Sequence, residues 1–140
     1  LLFRKLRAQL AGELRGRRVA VWGISFKPRT DDLRESAALA LIDALLAEGV
    51  RVAAHDPEAA EHARAIYGDK IEITPDPYAA AEGADALVLV TEWREYQNPD
   101  FERLKTSMKR PVVLDGRNIW SSYGLRAAGF SYEGIGVLGS

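Results

Sequence analysis

Short, unbroken apolar runs recurring between longer stretches of helical periodicity are what most restrict the fold of this chain. The run at 19–24, Val-Ala-Val-Trp-Gly-Ile, lacks polar alternation, as expected of a strand buried on both faces of a parallel sheet. Residues 37–47 follow as an Ala- and Leu-rich helix with Leu39, Ile42, Leu45 and Leu46 inward and Gly49 as its stop. The pattern then repeats. It predicts a strand over 50–55, a helix opened by Asp56-Pro57 and running to Tyr67, a strand at 71–73 and a short helix from Asp76-Pro77 to Gly83. A strand at 86–91, a helix at 99–108, a strand at 112–115, a helical stretch at 121–128 and an edge strand at 130–132 complete it. Parallel neighbours need long, right-handed crossovers. The expected fold is therefore α/β: a Rossmann-like, doubly wound parallel sheet of about five or six strands, preceded by an N-terminal helix.

In that first helix Phe3, Leu6, Leu10 and Leu14 form one apolar stripe, ended by Gly16. Basic residues Arg4, Lys5, Arg7, Arg15, Arg17 and Arg18 stand against Glu13 alone over residues 1–18. The expectation is a solvated basic face, not a membrane or nucleic-acid arm, with 1–15 as the uncovered end of a longer helix and 16–140 as the domain.

The 140 residues suit one domain, and 19 basic against 20 acidic side chains give no global field toward nucleic acid or anionic lipid. Apolar runs such as 84–90 are far short of the ~20 residues a bilayer span requires, and no leader peptide opens the chain, so the expected localisation is cytoplasmic. With no cysteine, the chain holds no disulfide, thiolate metal site or thiol nucleophile. His55 and His62 have no cluster of ligand spacing around them, and no metal is expected.

Ligands of doubly wound sheets bind beyond the carboxyl ends of the strands, where strand order reverses. The loop there, Gly23-Ile-Ser-Phe-Lys-Pro, has bulky residues where a dinucleotide fingerprint requires glycine, and no phosphate-binding GK[ST] follows. An independent NAD site is not expected. Phe26-Lys27-Pro28 and Arg34 offer instead an aromatic and two cations, with Pro28 holding Lys27 extended, a geometry suited to an anion. Asp31 and Asp32 read first as turn and cap residues. Asp115-Gly116-Arg117-Asn118 turns sharply at the fifth strand's end and projects a planar cation, whose expected ordinary partner is Asp115. Trp93 and Tyr96 read as packing residues, and Asp56 as a helix cap in preference to a ribose acceptor.

These blocks in this order resemble the UDP-binding, C-terminal domain of the UDP-glucose/GDP-mannose dehydrogenase family, most closely its UDP-glucose 6-dehydrogenase branch. The matching text is Val21-Trp-Gly-Ile-Ser-Phe-Lys-Pro-Arg-Thr-Asp-Asp-Leu-Arg-Glu-Ser36, His55-Asp56-Pro57, 84–96 ending Thr-Glu-Trp-Arg-Glu-Tyr, and Asp115-Gly-Arg-Asn118. The resemblance implies part of an enzyme that oxidises a UDP-sugar alcohol to a carboxylate in two NAD-dependent steps. The family's cysteine nucleophile and main NAD site lie on an upstream domain, and a helical region makes a homodimer. Carried across by position, Phe26, Lys27 and Arg117 bind the sugar nucleotide and Arg34 reaches the NAD. No catalytic residue is expected on this chain, which is expected to be inactive alone. GDP-mannose or another nucleotide sugar is the alternative substrate, and a stand-alone nucleotide-binding regulatory module the alternative class. A phosphoacceptor domain would need acids where Trp22-Gly23 stands.

Overall fold

The computed structural model describes residues 2–25, 32–33 and 36–134. Its strands are β1 (Arg18–Trp22), β2 (Arg51–His55), β3 (Glu72–Ile73), β4 (Ala86–Leu89), β5 (Val112–Asp115) and β6 (Ser131–Gly134). Its helices are α1 (Leu2–Gln9), α2 (Ala37–Ala47), α3 (Ala60–Tyr67), α4 (Pro77–Ala81) and α5 (Phe101–Ser107). All strands pair in parallel in the order β3-β2-β1-β4-β5-β6. Strand order reverses between β1 and β4, so that junction is the switch point of the sheet.

Alternation within strands divides the core into two layers. Val19 and Val21 of β1, with Val52, Val88 and Leu114, meet α2 and α3 through Leu41, Ile42, Leu45 and Ala63. Ala20 and Trp22, with Leu87, Leu89 and Val113, meet Ala80 and Ala81 of α4 and Leu104 of α5 on the other face. Each fully buried Leu or Ile contributes about 1.5–3 kcal/mol.

Right-handed crossovers put α2 and α3 on one face beside β1–β3 and leave that face of β4–β6 without a crossover helix of its own. Helix α1 fills it. Leu6, Leu10 and Leu14 are buried in the same layer as Val112 and Leu114, and α1 packs on β5 and α2. Lys5 pairs with Glu133 at 2.7 Å, Gln9 donates to Glu133 at 3.1 Å, and Ser131 donates to Gln9 at 2.7 Å, tying the helix to β6. The stripe expected to be uncovered is thus core. Nor does the helix last until Gly16. Gly12 N–H bonds the Arg7 carbonyl and Ala11 N–H that of Ala8, with Ala11 left-handed at φ 55°, a Schellman closure.

Two other expectations shift. The stretch 121–128 is a 3-10 turn, Ser121–Tyr123, because Gly124 turns left-handed (φ 65°) and bonds from Ala128 to Gly124 and Phe130 to Leu125 close separate turns. The edge strand lies over Ser131–Gly134, in register with β5, rather than 130–132.

Candidate functional site

Beyond the carboxyl ends of β1 and β4 the chain is stitched together. Gly23, left-handed at φ 92°, sits so close to Thr91 that an added Cβ would lie 2.6 Å from the threonine Cβ. Gly23 N–H bonds the His55 carbonyl at 2.8 Å, and Thr91 Oγ1 donates to the Ser25 carbonyl at 2.7 Å. This glycine therefore serves the packing of two protein segments.

Asp56, at the end of β2, is the hub. Its Oδ2 accepts from Ile24 N–H (2.7 Å), Ser25 N–H (3.0 Å), Ser25 Oγ (3.1 Å) and Trp93 Nε1 (3.2 Å). Its Oδ1 accepts from Glu58 and Ala59 N–H at 2.8 and 2.7 Å, capping the turn that enters α3. The helix expected to open at Asp56 starts later, with Ala59 as its N-cap and no side-chain capping bond, so Asp56 closes the turn ahead of α3 rather than the helix itself, and the same carboxylate also clamps the β1 exit. A dinucleotide site needs an open glycine turn and a carboxylate for a ribose hydroxyl. Here Thr91 fills the space at Gly23, and Asp56 is surrounded by protein donors, so these residues do not fit NAD.

Below lies an aromatic floor. Trp22 stacks on Tyr96 (centroids 5.0 Å, 24°) and meets Tyr78 and Trp120 edge-on at 5.9 and 5.8 Å. Trp93 and Tyr96 are buried, as packing residues should be. Tyr96 Oη lies 2.7 Å from His55 Nδ1 and 3.0 Å from the His55 carbonyl. Burial lowers the His55 pKa, outweighing the opposite pull of Glu95, Asp56 and Asp76, and favours the neutral ring. Burial also raises the Tyr96 phenol far above its usual range.

One strand from the switch point, the turn after β5 is held from within. Asp115 is fully buried; its Oδ1 accepts from Arg117 N–H (3.1 Å) and its Oδ2 from Trp120 N–H (2.7 Å) and Tyr132 Oη (2.8 Å). Burial first, and then the hydrogen bond to Asp115, raise the Tyr132 phenol. Gly116 N–H bonds the Leu89 carbonyl at 2.8 Å, and a Cβ there would lie 2.5 Å from that oxygen. Asn118 supplies the left-handed residue (φ 59°) that a sharp turn requires.

Arg117 leaves this turn with its side chain 46% exposed, and its Nε donates to Glu92 Oε2 at 3.0 Å. The expected partner, Asp115, instead takes backbone N–H groups, and the neighbouring β4 exit supplies the counter-charge. Of the other site residues read from sequence, Phe26, Lys27 and Arg34 lie outside the described residues. Sequence reasoning underweighted Asp56 and Asp115, although Asp-Pro and Asp-Gly were the available turn signals, and it had no signal for the Glu92 pairing. Among the described residues no three His, Asp or Glu side chains converge as a metal site. A cavity of about 450 Å³ at the opposite, amino ends of the central strands is lined by Glu13, Arg15, Arg17, Glu48, Asp85 and Lys109. Its charges pair internally, Arg17 with Glu13 and Asp85.

A sequence profile described as "UDP-glucose/GDP-mannose dehydrogenase family, UDP binding domain" matches residues 20–122. The chain is similar to the UDP-glucose 6-dehydrogenases of Pseudomonas aeruginosa (48% identical, covering 97% of this chain and 31% of that protein) and Rhizobium meliloti (46%, covering 95% and 30%). It spans about a third of the length of these relatives. Among solved structures it is similar to a UDP-glucose dehydrogenase from Pyrobaculum islandicum, with 39% identity and a TM-score of 0.78 over 94% of this chain and 28% of that one.

Proposed function

The chain belongs to the UDP-glucose/GDP-mannose dehydrogenase family, and from that premise we propose that it binds the UDP moiety of a UDP-sugar for an NAD-dependent UDP-glucose 6-dehydrogenase. The observation that carries this reading is the match of residues 20–122 to the family's UDP-binding domain, a span running from β1 through the Arg117 turn. Arg117 supports it as a cation at a strand exit beside the switch point, with a planar fork suited to a diphosphate. In this reading Phe26 and Lys27 contact the same sugar nucleotide, and Arg34 reaches NAD held by another domain. On the same reading, residues 1–15 are the end of a connecting segment whose Leu6, Leu10 and Leu14 are packed into the core of the UDP-sugar domain formed by 16–140.

The chain's own chemistry is binding and orientation. NAD supplies the hydride acceptor when bound, and the filled Gly23 turn and clamped Asp56 support a nicotinamide site elsewhere. Without a cysteine the chain cannot form a thiohemiacetal, so it does not oxidise UDP-glucose by itself. The working enzyme is a cytoplasmic homodimer. No helix among the described residues is long and apolar enough to cross a membrane.

Calorimetric titration of UDP, GDP and NAD tests the reading. UDP binds in preference to both, and Arg117→Ala or Lys27→Ala each weakens it about tenfold or more, since a hydrogen bond to a charged group is worth about 1.5–3 kcal/mol. Preference for GDP would reverse the substrate, tight NAD binding would remove the division of labour, and unchanged UDP affinity in Arg117→Ala would withdraw that residue.

A further inference from the structure

An acid stands where the proposed ligand is an anion. Glu92, at the β4 exit and 29% exposed, holds Arg117 by Nε at 3.0 Å. Like charge so close to a diphosphate should oppose binding unless the carboxylate does something that outweighs the repulsion. The Arg117 backbone is already fixed by Asp115 and by the Gly116 bond to Leu89, which leaves only the side-chain torsions free. The guanidinium is planar, so a bond at Nε sets the plane in which both terminal nitrogens lie. Among the described residues those terminal nitrogens have no hydrogen-bond partner.

We propose that Glu92 is a positioning residue that presents the terminal nitrogens of Arg117 as a fork to the substrate diphosphate. This rests on Arg117 being a substrate-binding residue. A carboxylate merely nearby has the opposite signature: its removal would tighten anion binding.

The test is a double-mutant cycle read by UDP calorimetry, with thermal unfolding as the control for folding. Glu92→Ala weakens UDP about two- to fivefold, the range expected of a partly exposed ion pair. Glu92→Gln, whose amide oxygen still accepts from Nε, returns affinity to within about twofold of the parent. In an Arg117→Ala background, where Glu92 has no guanidinium to orient and is only a nearby like charge, Glu92→Ala does not weaken UDP binding further and can only leave it unchanged or tighten it, and the unfolding midpoint is the same for both Glu92 variants and the parent. Tighter or unchanged binding in Glu92→Ala, failure of Glu92→Gln to restore it, or a loss that persists without Arg117 overturns the proposal. If Arg117→Ala itself leaves UDP binding intact, the substrate-binding reading falls and takes the proposal with it. A weakened Arg117→Ala beside an unaffected Glu92→Ala removes the positioning role alone.

Discussion

Asp56 is a buried carboxylate whose neighbours are donors from three separate segments, so its removal strands several N–H groups at once. Each stranded buried donor costs about 1–3 kcal/mol, and Asp56→Ala should lose at least about 3 kcal/mol in urea denaturation. Asp56→Asn keeps one acceptor oxygen and should lose less; equal losses would show that a single acceptor oxygen preserves none of the clamp. The neighbouring His55 has its pKa lowered below 6.5 by burial. The unfolded chain therefore takes up this proton at higher pH than the folded one, and the associated stability is complete above about pH 6.5 and lost as pH falls below it. Denaturation midpoints measured downward from pH 7.5 should decline through that window, and the decline should flatten in His55→Gln; an unaltered slope would assign it to another group. At this scale sequence was a partial guide. The Asp-Pro step, which is local, marks Asp56 as a turn-closing residue, although the helix itself starts only at Ala60, and the clamp on Ile24 and Ser25 joins residues 32 and 31 positions away.

Among the elements, the turn after β5 and helix α1 make the sharpest predictions. A methyl group at Gly116 would meet the Leu89 carbonyl, so Gly116→Ala should cost about 1–3 kcal/mol and lower UDP affinity together. Denaturation and calorimetry on the same sample check both; stability lost with affinity intact would separate the turn from binding. Just past the end of α1, Leu10→Ala should cost about 2–5 kcal/mol, as expected of a fully packed leucine, while Arg4→Ala on the exposed face of α1 should stay within about 0.5 kcal/mol. A negligible Leu10→Ala effect would restore the picture of an uncovered connecting helix. Strands β1, β4 and β5 were readable because burial on both faces leaves an unbroken apolar run. The composition of 121–128 tolerates a helix, whereas Gly124 turned left-handed ends one after a single 3-10 turn.

For the whole molecule, α1 closes the half of the sheet that the crossovers leave open. Deleting residues 1–15 should expose the α1-facing side of β5 and abolish cooperative thermal unfolding, with association visible by size-exclusion chromatography. A monomeric, cooperatively melting deletion variant would show that α1 is dispensable. By itself the sequence determined the α/β alternation, the parallel sheet and the charged residues offered at its strand exits, because periodicity and turn chemistry operate between near neighbours. Only the tertiary structure decided that Glu92 pairs with Arg117, that Asp56 clamps the β1 exit, and that the α1 stripe is core. Those pairings join residues from 25 to 128 positions apart. They follow from which strands lie side by side and which face remains open, properties that exist only once the sheet has assembled.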